Sequence, residues 1–365
     1  MERNITYVGL DAHKNSIHIA VLGAEGPVEW RSETTPSSLR RMAKKIQRVA
    51  AGEVLACYEA GPCGYALQRT LNELGVPCQV IAPGLIPQKS GDRIKTDKRD
   101  ARKLAELLRA GLLTEVHPPT EAQEAVRDLC RAREDAVEDR LRARHRLGKF
   151  LARHGVHYGR TNWTKAHRQF LSTLRFDQPA AQVVFEEYLN TVDVVADRVA
   201  SLEREMAAIA KQPEYARYVE PMRCFRGIDT VTALTVVAEL GDVHRFSHPR
   251  KLMAYLGLVP SEHSSGPRTR RGGITKTGNG HVRRVLVESA WHNRHFPRVG
   301  KALEVRRREQ PSWAIQLADR AMKRLHHRYR WLVGQGKPTQ KTTVAVAREL
   351  AGFIWALFHE VELRA

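Results

Sequence analysis

Asp11, in the stretch GLDAHKNS, follows the apolar run ITYV and sets a bare carboxylate where a buried strand should be ending. Glu59, in CYEA, closes a second apolar run in the same way. Asp97 and Asp100 stand three apart at the head of DKRDARKLAELLRA, a spacing that puts both on one helix face, in line with Ala101, Leu104 and Leu108 and so turned toward a sheet. Carboxylates on neighbouring strand ends repel one another unless something cationic sits between them. Four hard oxygen donors of this kind are what two Mg²⁺ ions need to stabilise the attacking and leaving oxygens of an in-line displacement at a phosphodiester. The competing reading of the helix is plain capping, with Asp97 as N-cap and Asp100 in the first turn, where the helix dipole favours it.

A second chemistry-bearing stretch is SEHSSGPRTRRGGITKTGNGHVRRVL. It offers Ser261, Ser264 and Ser265 among glycines, with Arg268, Arg270 and Arg271 close behind and Lys276, Arg283 and Arg284 beyond. Glycine lets backbone approach a phosphate, and guanidinium groups hold one bidentately, so these cations are candidate nucleic-acid contacts. A serine hydroxyl is a weak nucleophile until a base, a metal or nearby cations activate it. With no serine-histidine-aspartate order evident, activation would come from a metal at the four acids, which requires the two ends of the chain, or of two protomers, to meet. The plainer reading is a serine that only hydrogen-bonds phosphate. His263, His281, His292 and His295 match no zinc spacing and have no cysteine beside them.

The elements that must carry these residues read as mixed α/β from Asn4 to about Gly84: ITYVGL, SIHIAVLG, EVLACYEA and CQVIAP as strands, with LRRMAKKIQRVA as a helix between them. Gly23, Gly26 and Pro27 punctuate the first two strands like a hairpin, which predicts an antiparallel opening to the sheet. That opening is unlike a doubly wound dinucleotide fold, and no GxGxxG follows the first strand. Ala101, Leu104, Ala105 and Leu108 predict a helix over 97–110, stopped by Gly111, with Pro118 and Pro119 as a linker. Two long helices, from Glu121 to about Gly155 and from Ala180 to Lys211, are expected to form an antiparallel coiled-coil arm or a helical spacer. RCFRGIDTVTALTVVAEL resembles a helix-hairpin-helix, whose turn amides can hold a phosphate, unless Gly227 simply caps a helix. HHRYRW reads as a basic aromatic helix face suited to a nucleic-acid backbone, with packing as the ordinary alternative.

At 365 residues and 42% hydrophobic content the chain can bury more than one core. Its formal charge of +20 is spread along its length, which points to a polyanion, and nucleic acid first; mere solubility is the bland alternative. Five cysteines without a CxxC pair fit reduced thiols and a cytosolic compartment. The opening MERNITYVGLDAHK lacks a signal peptide's apolar core, and VAVARELAGFIWALF is interrupted by Arg348 and Glu349, so no membrane span is expected.

Taken in order, GLDAHKNSIHIAVL, CYEAGPCGY, KTDKRDARKLAELL and GLVPSEHSSG resemble the DEDD-type insertion-sequence transposases, relatives of the pilin-gene invertase and of the bridge-RNA-guided recombinases. The resemblance implies an RNase H-like, RuvC-like mixed sheet domain over 1–117, a helical coiled-coil region over 118–215 and a mainly helical C-terminal transposase domain over 216–365. By motif, Asp11, Glu59, Asp97 and Asp100 match the Mg²⁺-binding tetrad, and Ser265 matches the nucleophile, with Ser264 beside it. The second motif departs from the commonest form, EAGPCG replacing EATG, but keeps the acid. The implied activity is cleavage and exchange of donor and target double-stranded DNA through a covalent phosphoserine. Further implications are guidance by a noncoding bridge RNA, a homo-oligomer (dimer or tetramer), and a cytoplasmic, nucleoid-associated location. Two other readings use the same residues: a metal-dependent nuclease of the RNase H or junction-resolvase type with water as nucleophile, and a nucleic-acid-binding scaffold whose acids are caps.

Overall fold

A computed structural model describes residues 4–23, 26–87, 96–262 and 270–364. Backbone contacts divide the chain into two compact units, Met1–Pro119 and Thr120–Ala365.

The first unit runs β1 (Ile5–Ala12), β2 (Ser16–Gly23), β3 (Gly26–Glu33), α1 (Pro36–Val49), β4 (Glu53–Glu59), α2 (Ala66–Glu73), β5 (Cys78–Ile81), α3 (Asp97–Arg109) and β6 (Glu115–Val116). The sheet order is β3-β2-β1-β4-β5-β6. β1, β4 and β5 run parallel, while β2, β3 and β6 each pair antiparallel with their neighbour. This mixed six-stranded sheet is consistent with an RNase H-like domain. The glycine turn at Gly23 and Gly26 does not join the first two strands: it follows β2 and feeds β3. GPVEWRSE carries no apolar run, because β3 is a sheet edge with mostly exposed or half-exposed side chains, and only its pairing with β2 makes it a strand.

Each parallel strand buries both faces, which is why β1 and β4 read as nearly continuous apolar runs. Val8, Leu10, Ile17, Ile19, Ala56 and Tyr58 pack on one face with Leu39, Met42 and Ile46 of α1 and Leu71 of α2. Cys57 and Ile81 meet Leu104 and Leu108 of α3 on the other. α3 buries the four predicted positions, Ala101, Leu104, Ala105 and Leu108. Its cap differs from the expectation. Thr96, not Asp97, is the N-cap, its hydroxyl accepting the Arg99 N–H at 3.4 Å, which leaves the Asp97 carboxylate uncommitted to the helix.

The second unit opens with α4 (Glu121–Arg153), α5 (Lys165–Thr173), α6 (Pro179–Ile209), α7 (Pro213–Met222), α8 (Thr230–Leu240) and α9 (Pro249–Tyr255). A two-stranded ribbon follows, β7 (Pro260–Glu262) and β8 (Arg271–Ile274), then α10 (Gly280–Trp291), α11 (Lys301–Arg307), α12 (Ser312–Gly334) and α13 (Thr339–Glu362). α4 and α6 lie against each other, and on α6 the buried residues Phe185, Val192, Val199 and Met206 recur every seventh position. α8 is buried from Ala233 to Leu240 and forms the centre of the helical core, flanked by α4, α7 and α10. Among the described residues no helix is long and apolar enough to cross a membrane.

Candidate metal centre

The acids of the first unit are assembled by one glycine and one strand register. At Gly9 a Cβ would stand 1.9 Å from the Ala101 carbonyl oxygen and 2.6 Å from the Ala105 nitrogen, so the backbone of α3 rests directly on β1. Two residues further along the strand, and on the same face, comes Asp11; one turn back along the helix comes Asp97. The close approach at Gly9 therefore brings the head of α3 to the end of β1.

His13 joins the two. Its Nε2 lies 3.2 Å from Asp11 Oδ2 and 3.6 Å from Asp97 Oδ2. His18, cross-strand partner of Asp11, places its own Nε2 3.5 Å from the same Asp97 oxygen. Ligand atoms of Asp11, His13 and Asp97 all fall within 4.8 Å of one another. Asp11 is largely buried, and Asp97 keeps about half its surface in solvent (53%), so the site is open on the helix side and Asp97 is not turned fully onto the sheet. Burial pushes the Asp11 carboxyl up; His13 pulls it down, Asp97 and Asp100 push it up again, and the net shift is upward. A like-charge cluster that raises a carboxyl's pKa is relieved by a cation. Two carboxylates and an imidazole within one coordination distance make a donor set that fits a divalent metal ion.

Asp100 is half-buried and close enough to act electrostatically on Asp11. Glu59 is placed by register: Leu10 pairs with Tyr58 in the parallel β1–β4 ladder, and the next residue of each strand is an acid. Its side chain is exposed. His13 and His18 were missed by the sequence reading, although HKNSIH follows Asp11 directly. The signal lay in the antiparallel turn, which folds His18 back beside Asp11. Lys98 is bound to Glu29 of β3 at 2.8 Å, so the helix carrying Asp97 and Asp100 is also tied to the sheet edge.

In the second unit His263, Ser264, Ser265 and Arg268 lie outside the described residues. Arg270 and Arg271 are exposed at the start of β8, with Arg271 paired to Glu262 at 3.3 Å, and Lys276 is exposed in the following turn. Arg283 is drawn inward: its Nη1 donates to the carbonyls of Leu256 and Thr277, both at 2.9 Å, so it braces that turn. Arg284 is shared by Glu134 of α4 at 2.6 Å and Glu288 at 2.9 Å, and His281 meets Glu134 at 2.8 Å. All five cysteines are free, four of them buried, with burial holding Cys130 and Cys224 at about 11.

A mixed sheet of this order, with acids at the end of β1 facing the first turn of a helix on the same face, is consistent with RNase H-like DEDD enzymes, which act on nucleic-acid phosphodiesters. Residues 8–155 match the family DEDD_Tnp_IS110, described as Transposase, and residues 221–303 match the Transposase IS116/IS110/IS902 family. The protein y4qE of Sinorhizobium fredii is 44% identical over 97% of this chain and 88% of its own length. The transposase for insertion sequence element IS1533 of Leptospira borgpetersenii is 35% identical over 93% of this chain and its full length. The transposase for insertion sequence element IS1111A of Coxiella burnetii is 28% identical over 79% of this chain and 78% of its own. The chain belongs to the IS110/IS116 family of transposases and is a DNA transposase.

Proposed function

We propose that this transposase cleaves and exchanges DNA strands with Asp11, Glu59, Asp97 and Asp100 holding Mg²⁺ and Ser265 as the nucleophile. The observation that carries the metal assignment is the meeting of Asp11 and Asp97 around His13, within 4.8 Å, at the end of a strand whose neighbour ends in Glu59. When bound, Mg²⁺ supplies positive charge to the oxygens entering and leaving phosphorus. The serine assignment rests on the HSSG motif, which falls inside the matched segment 221–303. Ser265 Oγ forms a bond to phosphorus as the bond from phosphorus to one bridging sugar oxygen breaks; in net terms the serine proton ends on that leaving oxygen. A sugar hydroxyl of the second strand then attacks the phosphoserine and returns the proton to Oγ, which completes exchange. Arg268, Arg270, Arg271 and Lys276 are assigned to the phosphates, and Arg283 and Arg284 to the support of that segment.

The remaining parts of the reading rest on the family resemblance: a RuvC-like domain over 1–117, a coiled-coil region over 118–215, a transposase domain over 216–365, a homo-oligomer, and a noncoding guide RNA pairing with donor and target DNA. The test is to purify the expressed protein, sequence the RNA that accompanies it, and assay strand exchange and protein-DNA adducts. The wild type is expected to trap an adduct, and both Ser265→Ala and Asp11→Ala to abolish it, with at least a hundredfold loss of exchange. Cleavage that survives Ser265→Ala but not Asp11→Ala would instead make the enzyme a water-using nuclease, and RNA-free protein recombining at full rate would remove the guide.

A further inference from the structure

The second unit holds a cavity of about 720 Å³ between the α7–α8 turn and the segment joining α10 to α11, lined by residues that have no part in the function proposed above. That volume is in the range of sites that take a small-molecule-sized group, ~300–1,000 Å³. Its lining is cationic: Arg226, Arg298, Lys301 and Arg306, with His292 and His295. The acid among its lining residues, Asp229, caps the N-terminus of α8, where it accepts the Thr232 N–H at 2.9 Å, and its charge also acts on Arg306, leaving the lining cationic in balance.

The walls are fixed by backbone contacts. Gly227 has φ +81° and stands so close to α10 that a Cβ would meet the Ser289 carbonyl oxygen at 2.5 Å and the His292 ring at 2.9 Å. Arg226 donates to the carbonyls of His295 and Arg298 at 2.9 and 2.7 Å, and Arg306 donates to that of Ile228 at 2.5 Å. These bonds hold the cavity open while leaving other guanidinium N–H groups unspent. Arg306 Nε is a buried donor with no partner among the described residues. The local field agrees with the lining: burial first, and then Arg294, His295, Arg226 and Arg306, push the His292 imidazole below its ordinary value.

At the rim stands Phe296, 76% exposed. Its ring meets His326 edge-on, with centroids 6.0 Å apart, and His326 is itself fixed by a 3.0 Å contact to the Asn293 carbonyl. The contact positions the Phe296 ring while most of its surface stays in solvent. An exposed aromatic next to a cluster of guanidinium and ammonium groups is the pairing that binds unpaired nucleotides, phosphate on the cations and base on the ring.

We propose that this cavity binds the phosphodiester backbone of a single nucleic-acid strand, with an unstacked base laid on Phe296. It is a nucleic-acid contact made by residues other than those assigned a role above. The probes are short oligothymidylate and oligouridylate strands, each carrying one 5-bromo-substituted pyrimidine, bound to the full chain, photo-crosslinked and mapped by mass spectrometry. The crosslink is expected in the peptide containing Phe296. The double substitution Arg298→Gln, Lys301→Gln should weaken binding about tenfold and lower the salt slope by about 1.4, the value for two lost phosphate contacts on a single strand. Phe296→Ala should weaken it about fivefold or more with the slope unchanged, and Phe296→Leu, which keeps an apolar side chain at the rim, should do the same. All these side chains are exposed, so melting temperatures should match the wild type. Preference for the thymidylate or the uridylate strand identifies DNA or RNA as the source. Unchanged affinity and slope in these variants, or crosslinks confined to other peptides, overturn the proposal.

Discussion

Gly9 decides the geometry of the acidic cluster without touching it. Gly9→Ala would put a methyl group 1.9 Å from a helical carbonyl oxygen, a clash with backbone on both sides that no side-chain rotation relieves. α3 must lift off β1, carrying Asp97 and Asp100 with it. The expected outcome is a loss of about 1–3 kcal/mol in urea unfolding, the usual cost of overpacking, together with weaker Mn²⁺ binding by calorimetry. Full stability with unchanged metal affinity would show that the contact is not what positions Asp97. The acids themselves were legible as residues, because carboxylates at the ends of apolar runs violate the expectation for buried strands. Gly9, His13 and His18 were not, since a glycine's close approach and a histidine's cross-strand neighbour exist only after the helix and the turn are placed.

Among the elements, α3 was legible in span and buried face because its apolar positions recur at helical spacing, whereas its cap was misread by one residue: Thr96 and Asp97 are both good caps, and only the backbone angles distinguish them. β3 was invisible for the opposite reason, since an edge strand needs no apolar pattern. In the second unit, α4, α8 and the cap of α10 meet at Glu239, 1% exposed, whose carboxylate accepts from Arg131 Nε and Nη2 at 2.8 and 3.0 Å and from Asn279 at 2.7 Å. Burial pushes this carboxyl up, but the hydrogen bonds from Arg131 and Asn279 outweigh it and hold the group below its ordinary 4.5. A depressed carboxyl contributes stability that is fully present above 4.5 and is lost as pH falls through the lower folded-state value. Acid titration followed by circular dichroism should therefore show the helical unit losing stability below pH ~4.5, and Glu239→Gln should flatten that dependence. Arg131→Met, which strands the buried carboxylate, should cost roughly 3 kcal/mol at neutral pH, the low end for a broken buried pair because Arg131 is itself half-exposed.

Over the whole molecule, the charge of +20 acts as a field for a polyanion. Binding of non-specific duplex DNA, measured by fluorescence anisotropy across a salt series, should weaken steeply as salt rises. A slope of about −5 or steeper in log K against log salt corresponds to six or more neutralised phosphates. A slope near zero would leave the charge serving solubility alone. Several of these cations are not free for DNA: Arg283 braces a turn, Arg284 is shared by two glutamates, and Arg307 is buried against Asp319 at 2.7 Å. Net charge therefore overstates the binding surface.

By itself the sequence determined what depends on residue type and local period. That covers the apolar strands and their terminal acids, the stripe of α3, the two long helices, the cationic balance and the ordered motifs that place the chain among the IS110/IS116 transposases. The tertiary structure alone decided what depends on neighbours distant in the chain. It folded His13 and His18 onto Asp97, seated α3 on Gly9, put Glu59 at the end of the strand next to the one that carries Asp11, turned Arg283 inward and opened the cationic cavity beneath Phe296. The division follows from physics: hydrophobic periodicity is written residue by residue, whereas a coordination distance is a property of two backbones brought together.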